Sequence, residues 1–198
     1  MIHPHTQLVV ADASRGYGVT ATRDLPRGTL IWVLDALDGV IPQGSPLLAN
    51  EAYAAVIAKY TFENGGGTRV LHWDLAKYIN HSCDANLLTP RGVNFSILIR
   101  DVPAGGEITD DYGLYYGEGD APLECLCGSP SCRGVIAFDP IGARRAGIEQ
   151  DLGAALAQAD RIDQPLLAFT TRASHAALLD ALATGRTEAL LARCLGTE

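Results

Sequence analysis

Over the first two thirds of the chain, apolar and β-branched residues come in short runs cut off by Gly, Pro or Asn; in the last third they recur at helical spacing. The runs Val19–Thr22, Thr29–Leu34, Tyr60–Phe62, Thr68–Leu71 and Val93–Arg100 predict small strands. Gly65, Gly66 and Gly67 predict a hairpin between two of them, and Leu25-Pro26-Arg27-Gly28 and Val102-Pro103-Ala104-Gly105 read as turns that lead into strands. An Ala-rich stretch from Leu47 to Lys59 predicts a helix. Further on, Ile148, Leu152 and Leu156 fall every fourth residue on one helical face. Ser174 is expected to cap a helix ending before Gly185, and Thr187 one ending before Gly196. The pattern is that of a mainly β protein with α structure added towards its C-terminal end, without internal repeats or low-complexity tracts.

Composition sharpens this picture. A chain of 198 residues that is 47% hydrophobic and 7% aromatic can bury the core of one domain and carry a short appendage. With 23 acidic against 15 basic residues its formal charge is −8, which disfavours direct contact with nucleic acid, since such binding rests on Lys and Arg neutralising phosphates. The charge is uneven: residues 1–140 hold 9 basic and 16 acidic side chains (net −7), and residues 141–198 hold 6 and 7 (net −1), which puts a seam near Asp139 and Pro140. No run approaches the ~20 apolar residues that span a bilayer, and His3, Pro4 and His5 do not open an export signal. A soluble protein, cytoplasmic or otherwise intracellular, is expected. Four of the five cysteines lie between positions 83 and 132, an arrangement more natural for a metal site in a reducing compartment than for a disulfide framework.

Candidate chemistry is concentrated in four places. In Cys125-Leu126-Cys127-Gly128-Ser129-Pro130-Ser131-Cys132, a tight turn lets three thiolates converge on one cation. Zinc in a closed structural site takes four tetrahedral ligands, and Cys83 is able to fill the vacancy from a distant segment; the bland alternatives are small buried hydrophobes or reactive thiols. Cys194, on a helix face, is expected to be an ordinary core residue. Gly16-Tyr17-Gly18 precedes a strand and offers a backbone that a ligand can approach, or a plain turn. Asn80-His81-Ser82-Cys83-Asp84-Ala85-Asn86 packs polar side chains after the apolar Tyr78-Ile79, although His81 taken alone is more often a satisfied core histidine than a catalyst. In Glu107-Ile108-Thr109-Asp110-Asp111-Tyr112-Gly113 a phenol sits beside acids, as a catalytic hydrogen-bonder or a satisfied core tyrosine. Six carboxylates and no Lys or Arg between Glu107 and Glu124 make a field that attracts cations, or a solvated acidic loop.

In this order the pieces resemble the SET-domain protein lysine methyltransferases. The resemblance runs from about residue 6 to residue 137 and rests on Ser14-Arg15-Gly16-Tyr17-Gly18-Val19, the Leu25–Leu30 turn, Lys77–Asn86, Glu107–Gly113 and the Cys125-x-Cys127-Gly128 to Cys132-Arg133-Gly134 segment. It implies a SET-domain fold of small β-sheets in which the Asn80–Asn86 and Glu107–Gly113 segments cross in a knot-like way, a departure from ordinary chain topology. The implied division is a SET domain over 1–121, a post-SET zinc-binding segment over 122–138 and a C-terminal helical extension over 139–198. S-adenosylmethionine would be cradled by Arg15, Gly16, Tyr17, Gly18, Asn80, His81 and Tyr112, with Tyr112 the catalytic residue. Tyr60 and Asp110 would line the substrate channel, and Cys83, Cys125, Cys127 and Cys132 would hold one structural zinc. The implied partner is a basic protein or peptide carrying the lysine. Two residues before the catalytic tyrosine, where the family usually has Phe or Tyr controlling how many methyl groups fit, this chain has Asp110; Ala85 stands at a position that is commonly Pro. The extension beyond the usual family ending is expected to cover the sheet, replace missing support or form a homodimer surface. A non-catalytic, zinc-stapled module that binds a basic peptide is the alternative reading. A cysteine hydrolase built on Cys127 and His81 lacks an orienting partner.

Overall fold

The computed structural model describes residues 1–114, 116, 120–138 and 145–196. The charge seam at Asp139 and Pro140 therefore lies outside the described residues, as does Glu118 of the acidic run. In chain order the elements are β1 (Thr6–Asp12), β2 (Gly16–Ala21), β3 (Leu30–Val33), β4 (Gly39–Ile41), α1 (Glu51–Tyr60), β5 (Thr61–Glu63), β6 (Arg69–Leu71), β7 (Asn80–His81), β8 (Leu87–Leu88), β9 (Phe95–Leu98), β10 (Glu107–Asp110), β11 (Leu123–Glu124), β12 (Val135–Ile136), α2 (Arg145–Ala159), α3 (Arg172–Thr184) and α4 (Glu188–Cys194). They make four small sheets ordered β1-β2-β10-β7, β3-β9-β8, β4-β6-β5 and β11-β12. This is the expected architecture of small sheets with helices at the C-terminal end.

Local chemistry explains most of the boundaries. Asn50 caps α1 by accepting from the Ala52 N–H at 3.0 Å. The triple glycine closes the β5–β6 hairpin with all three residues at positive φ, and the two Pro-Gly turns pair with each other through Leu25 and Val102, N to O at 2.8 Å in both directions. Tyr60 ends α1 rather than heading the next strand, which starts at Thr61. Thr171, not Ser174, caps α3, because its hydroxyl is the one that accepts the Ser174 N–H. Gly185 ends that helix at φ 67°, a conformation an L side chain resists.

Two hydrophobic clusters fill the interior. One lies among Val19, Ile31, Trp32, Phe62, Ile79, Leu87, Leu98 and Ile108. The other joins Leu30, Val33, Phe95 and Ile97 of the β3-β9-β8 sheet to Leu152, Leu156, Leu166, Leu178 and Leu190 of the C-terminal helices. The predicted stripe on α2 thus covers the sheet, and Cys194 is 4% exposed in the same core. Among the described residues no helix is long and apolar enough to cross a membrane.

Candidate active site

Strand β10 is the crossbar of the site. It pairs antiparallel with β2, Glu107 opposite Thr20 and Ile108 opposite Val19, and parallel with β7, Thr109 opposite Asn80 and Asp110 opposite His81. The two segments expected to cross are clamped by Asn86, whose Nδ2 donates to the Glu107 carbonyl at 2.8 Å while its Oδ1 accepts from the Thr109 N–H at 3.0 Å. That placement puts Gly16–Gly18, Asn80–His81 and Asp110 on neighbouring strands, with Tyr112 opening the 3-10 turn just past the end of β10.

On the β2 side, Asn80 Nδ2 donates to the Tyr17 carbonyl and to Glu107 Oε1, both at 2.9 Å. Arg15 joins them through Nη1, 3.1 Å from Glu107 Oε2, and through Nε, 2.6 Å from Asp12. A Cβ on Gly18 would stand 2.8 Å from Glu107 Oε1 and 3.0 Å from Asn80 Nδ2, so only glycine leaves this shelf open. Tyr17 is half exposed and meets the Tyr78 ring edge-on at 5.6 Å. The shelf suits an adenosyl amino acid: an open glycine backbone, a carboxylate and an amide at its base, and aromatic edges at its rim.

Beside Ile79, Asp110 and Tyr112 lies a cavity of about 310 Å³, walled by Tyr60, Phe62, Trp32 and Tyr112 among others. Tyr112 donates its hydroxyl hydrogen to the Ile79 carbonyl. Burial, then the neighbouring Asp110 carboxyl, push this phenol above its ordinary value, so it stays a donor. Asp110 is 3% exposed and burial lifts its carboxyl to about 7. It accepts from the Thr89 hydroxyl and, at 2.7 Å, from the Asp111 N–H, while Thr89 and Ser96 share a 2.7 Å hydrogen bond. His72 stacks on Phe62 at 5.1 Å, and burial holds it neutral, near 3. Trp32 Nε1 and His72 Nδ1 are buried without hydrogen-bond partners among the described residues, His72 Nδ1 lying 3.9 Å from Asp38 Oδ1.

The cysteines gather at one end of β7. Cys83 Sγ is 3.7 Å from Cys125 Sγ, close to the ~3.8 Å edge of a tetrahedron built with 2.3 Å zinc–sulfur bonds. Cys83, Cys125, Cys127 and His81 all bring a donor atom within 4.8 Å of one another. His81 Nδ1, however, accepts the Tyr112 N–H at 3.1 Å, so its ring proton sits on Nε2 and points at Cys83 Sγ, 3.3 Å away. In that tautomer His81 supports a thiolate rather than ligating a metal. Cys132 is exposed at the rim, its Sγ 3.9 Å from the Cys125 carbonyl and accepting the Gly134 N–H at 3.4 Å. Burial raises Cys125; at Cys127 burial is outweighed by the backbone N–H groups of Cys83 and Ser129, which bring the thiol to about 6. The structure brings the sulfurs of Cys83, Cys125 and Cys127 together and leaves Cys132 outside that group at its rim; soft sulfur donors of this kind suit zinc.

Four participating residues carry no signal of their role in the sequence. Glu107 forms the base of the glycine shelf, Thr89 and Ser96 extend the polar wall behind Asp110, and Arg133 forks onto Asp111 with Nη1–Oδ2 3.1 Å and Nη2–Oδ1 2.6 Å. Glu107, Asp111 and Arg133 all stand inside motifs that were quoted for other residues; nothing local marks Thr89 or Ser96.

Comparison with known proteins agrees with this arrangement. The SET domain family matches residues 16–113. The histone-lysine N-methyltransferase ASHH2 of Arabidopsis thaliana is 30% identical over 138 residues, which is 64% of this chain and 8% of that protein. The probable inactive histone-lysine N-methyltransferase SUVR2 of the same plant is 26% identical over 155 residues, 67% of this chain and 22% of that protein. The chain therefore spans only a small part of the curated relatives it matches. Among solved structures, KRYPTONITE in complex with mCHG DNA and SAH aligns with a TM-score of 0.49 and 21% identity, covering 66% of this chain and 28% of that one. Residues 16–113, which hold the glycine shelf, Asn80 and Tyr112, are a SET domain, and the chain belongs to the SET-domain family.

Proposed function

We propose that this chain is an S-adenosylmethionine-dependent protein-lysine N-methyltransferase. One observation carries the reading: the Tyr112 hydroxyl donates to the Ile79 carbonyl and Asn80 Nδ2 donates to the Tyr17 carbonyl, so that the phenol-lined cavity and the glycine shelf are joined through two adjacent residues. S-adenosylmethionine supplies, when bound, a methyl group on a positively charged sulfur. Arg15, Gly16, Tyr17, Gly18, Asn80 and His81 are the residues that would hold it.

The remaining work falls to the cavity. A lysine amine, with a reference pKa of ~10.4, must shed a proton before its lone pair attacks, and desolvation between Tyr60, Phe62 and Tyr112 disfavours the ammonium. Tyr112 orients the amine, Asp110 offers an acceptor for an N–H that the amine keeps, and alignment of the lone pair supplies much of the rate. Cys83, Cys125, Cys127 and Cys132 would hold one structural zinc that fastens the 122–138 segment over the 1–121 SET domain, with 139–198 as a helical extension. The thiolates this needs favour an intracellular, reducing location. The net charge of −8 favours a basic protein or peptide as substrate.

The test is transfer of labelled methyl groups to basic proteins, with Tyr112→Phe alongside. The variant is expected to fold and to bind the cofactor but to lose about a hundredfold in turnover, the usual cost of one donor at a reacting centre. Equal turnover in the two proteins removes Tyr112 from the mechanism. Peptide binding without methyl transfer by the unaltered chain leaves a binding module.

A further inference from the structure

Two routes run from the cysteine cluster to the backbone of Tyr112. In the first, Cys83 Sγ meets His81 Nε2 at 3.3 Å and His81 Nδ1 accepts the Tyr112 N–H at 3.1 Å. In the second, the Arg133 N–H donates to Cys83 Sγ at 3.3 Å, the Arg133 guanidinium grips both oxygens of Asp111, and Asp111 Oδ1 accepts the Gly113 N–H at 3.1 Å. Tyr112 is therefore strung between two residues, Asp111 and Gly113, that the second route holds.

The segment that delivers Arg133 has little hydrophobic anchorage. Leu126 is 51% and Val135 50% exposed, and of residues 126–135 none is buried. Apart from the short β11–β12 pairing and the Cys125 N–H on the Gly134 carbonyl at 2.9 Å, its place is set by sulfur atoms and by the fork. Asp111, by contrast, is 4% exposed, and a carboxylate so buried is costly when its cationic partner leaves. Whatever fixes the sulfurs fixes the guanidinium, and the guanidinium fixes the turn that carries the phenol.

We propose that Arg133 is a positioning residue which couples metal occupancy of the cysteine cluster to the orientation of Tyr112. The proposal rests on the zinc and methyltransferase readings given above. A planar fork is needed, because an ammonium makes a point contact and cannot hold both carboxylate oxygens in register, so Arg133→Lys is the informative variant. Asp111→Asn removes the same charge pair from the other end and guards against a folding defect peculiar to one variant.

Three measurements decide the matter on the full chain. Zinc content and the urea midpoint of Arg133→Lys are expected to stay at the unaltered values. kcat is expected to fall at least tenfold, with the KM for the cofactor within about twofold. Amide hydrogen exchange at Tyr112 and Gly113 is expected to speed up at least tenfold when a chelator strips zinc from the unaltered protein; in Arg133→Lys and Asp111→Asn exchange at Gly113 is already fast and chelation adds little there, while Tyr112, still held through His81, keeps part of its response. A purely structural role would instead move the urea midpoint and leave exchange at these two amides in step with the rest of the sheet. The proposal is overturned by normal kcat and normal amide protection in Arg133→Lys, by exchange at the two amides that ignores chelation, or by a chain that binds no zinc. Failure of the unaltered chain to transfer methyl groups overturns the methyltransferase reading alone, because the exchange experiment needs no turnover.

Discussion

Gln164 ties the C-terminal extension to the strand that walls the cavity. Its side chain is 9% exposed; Oε1 accepts the Leu30 N–H at 3.0 Å, and Nε2 donates to the Gly28 carbonyl at 2.8 Å and to the Ala159 carbonyl at 3.0 Å. Gly28 belongs to the Leu25–Gly28 turn, Leu30 opens β3, and two residues later β3 supplies Trp32 to the cavity wall. Replacing Gln164 with Leu keeps the volume and strips all three bonds. Each of the three buried backbone groups left unpaired costs about 1–3 kcal/mol, and the added apolar burial returns at most about 2 kcal/mol, so a net loss of roughly 1–7 kcal/mol, with a middle value of about 4, is expected. Against a total stability of about 5–15 kcal/mol this is a large fraction. In urea, with a slope of about 2 kcal/mol/M, the midpoint should drop by roughly 2 M, followed through the fluorescence of Trp32, which is 1% exposed. A loss below about 1 kcal/mol would refute the idea that this amide joins the extension to the sheet.

Two other perturbations probe the shelf and the buried acid. Gly18→Ala puts a methyl group against the ends of the Glu107 and Asn80 side chains, which are able to swing aside; the urea midpoint should hold while cofactor affinity, measured by calorimetry, falls about tenfold or more, as for loss of a charged hydrogen bond. Equal affinity would mean that nothing occupies the shelf. Asp110 titrates near 7 in the folded chain against an ordinary 3.8, so the folded state holds a proton that the unfolded state has released. Stability relative to Asp110→Asn should therefore decline as pH rises from about 4 to about 7, by on the order of 4 kcal/mol, and level off above that. Unfolding free energies of the two proteins that run parallel across this window would show that the carboxyl is not desolvated.

What could be read from the sequence follows from how local each feature is. β2, β3, β9 and the β5–β6 hairpin carry their own signals, because runs such as Leu30–Val33 are buried on both faces and the glycines impose the turn. β1 gave no such signal; Val10 is 75% exposed and the strand is held by pairing with β2. β7, β8, β11 and β12 are two residues long and exist only as partners of other segments. The same distinction governs the site. Spacing alone marked Cys125, Cys127 and Cys132, whose side chains can meet because they share one turn. No spacing could reveal that Arg133 grips Asp111, 22 positions away, or that Asn80 reaches back 63 positions to Tyr17. Family resemblance singled out Asn80 and Tyr17 but assigned no role to Arg133 or Asp111, and the contacts themselves depend on β10 being inserted between β2 and β7. That insertion explains why so short a strand matters: shifting β10 by one residue would turn Asp110 away from Thr89 and swing Asp111 out of reach of Arg133, uncoupling shelf, phenol and cysteines in a single step.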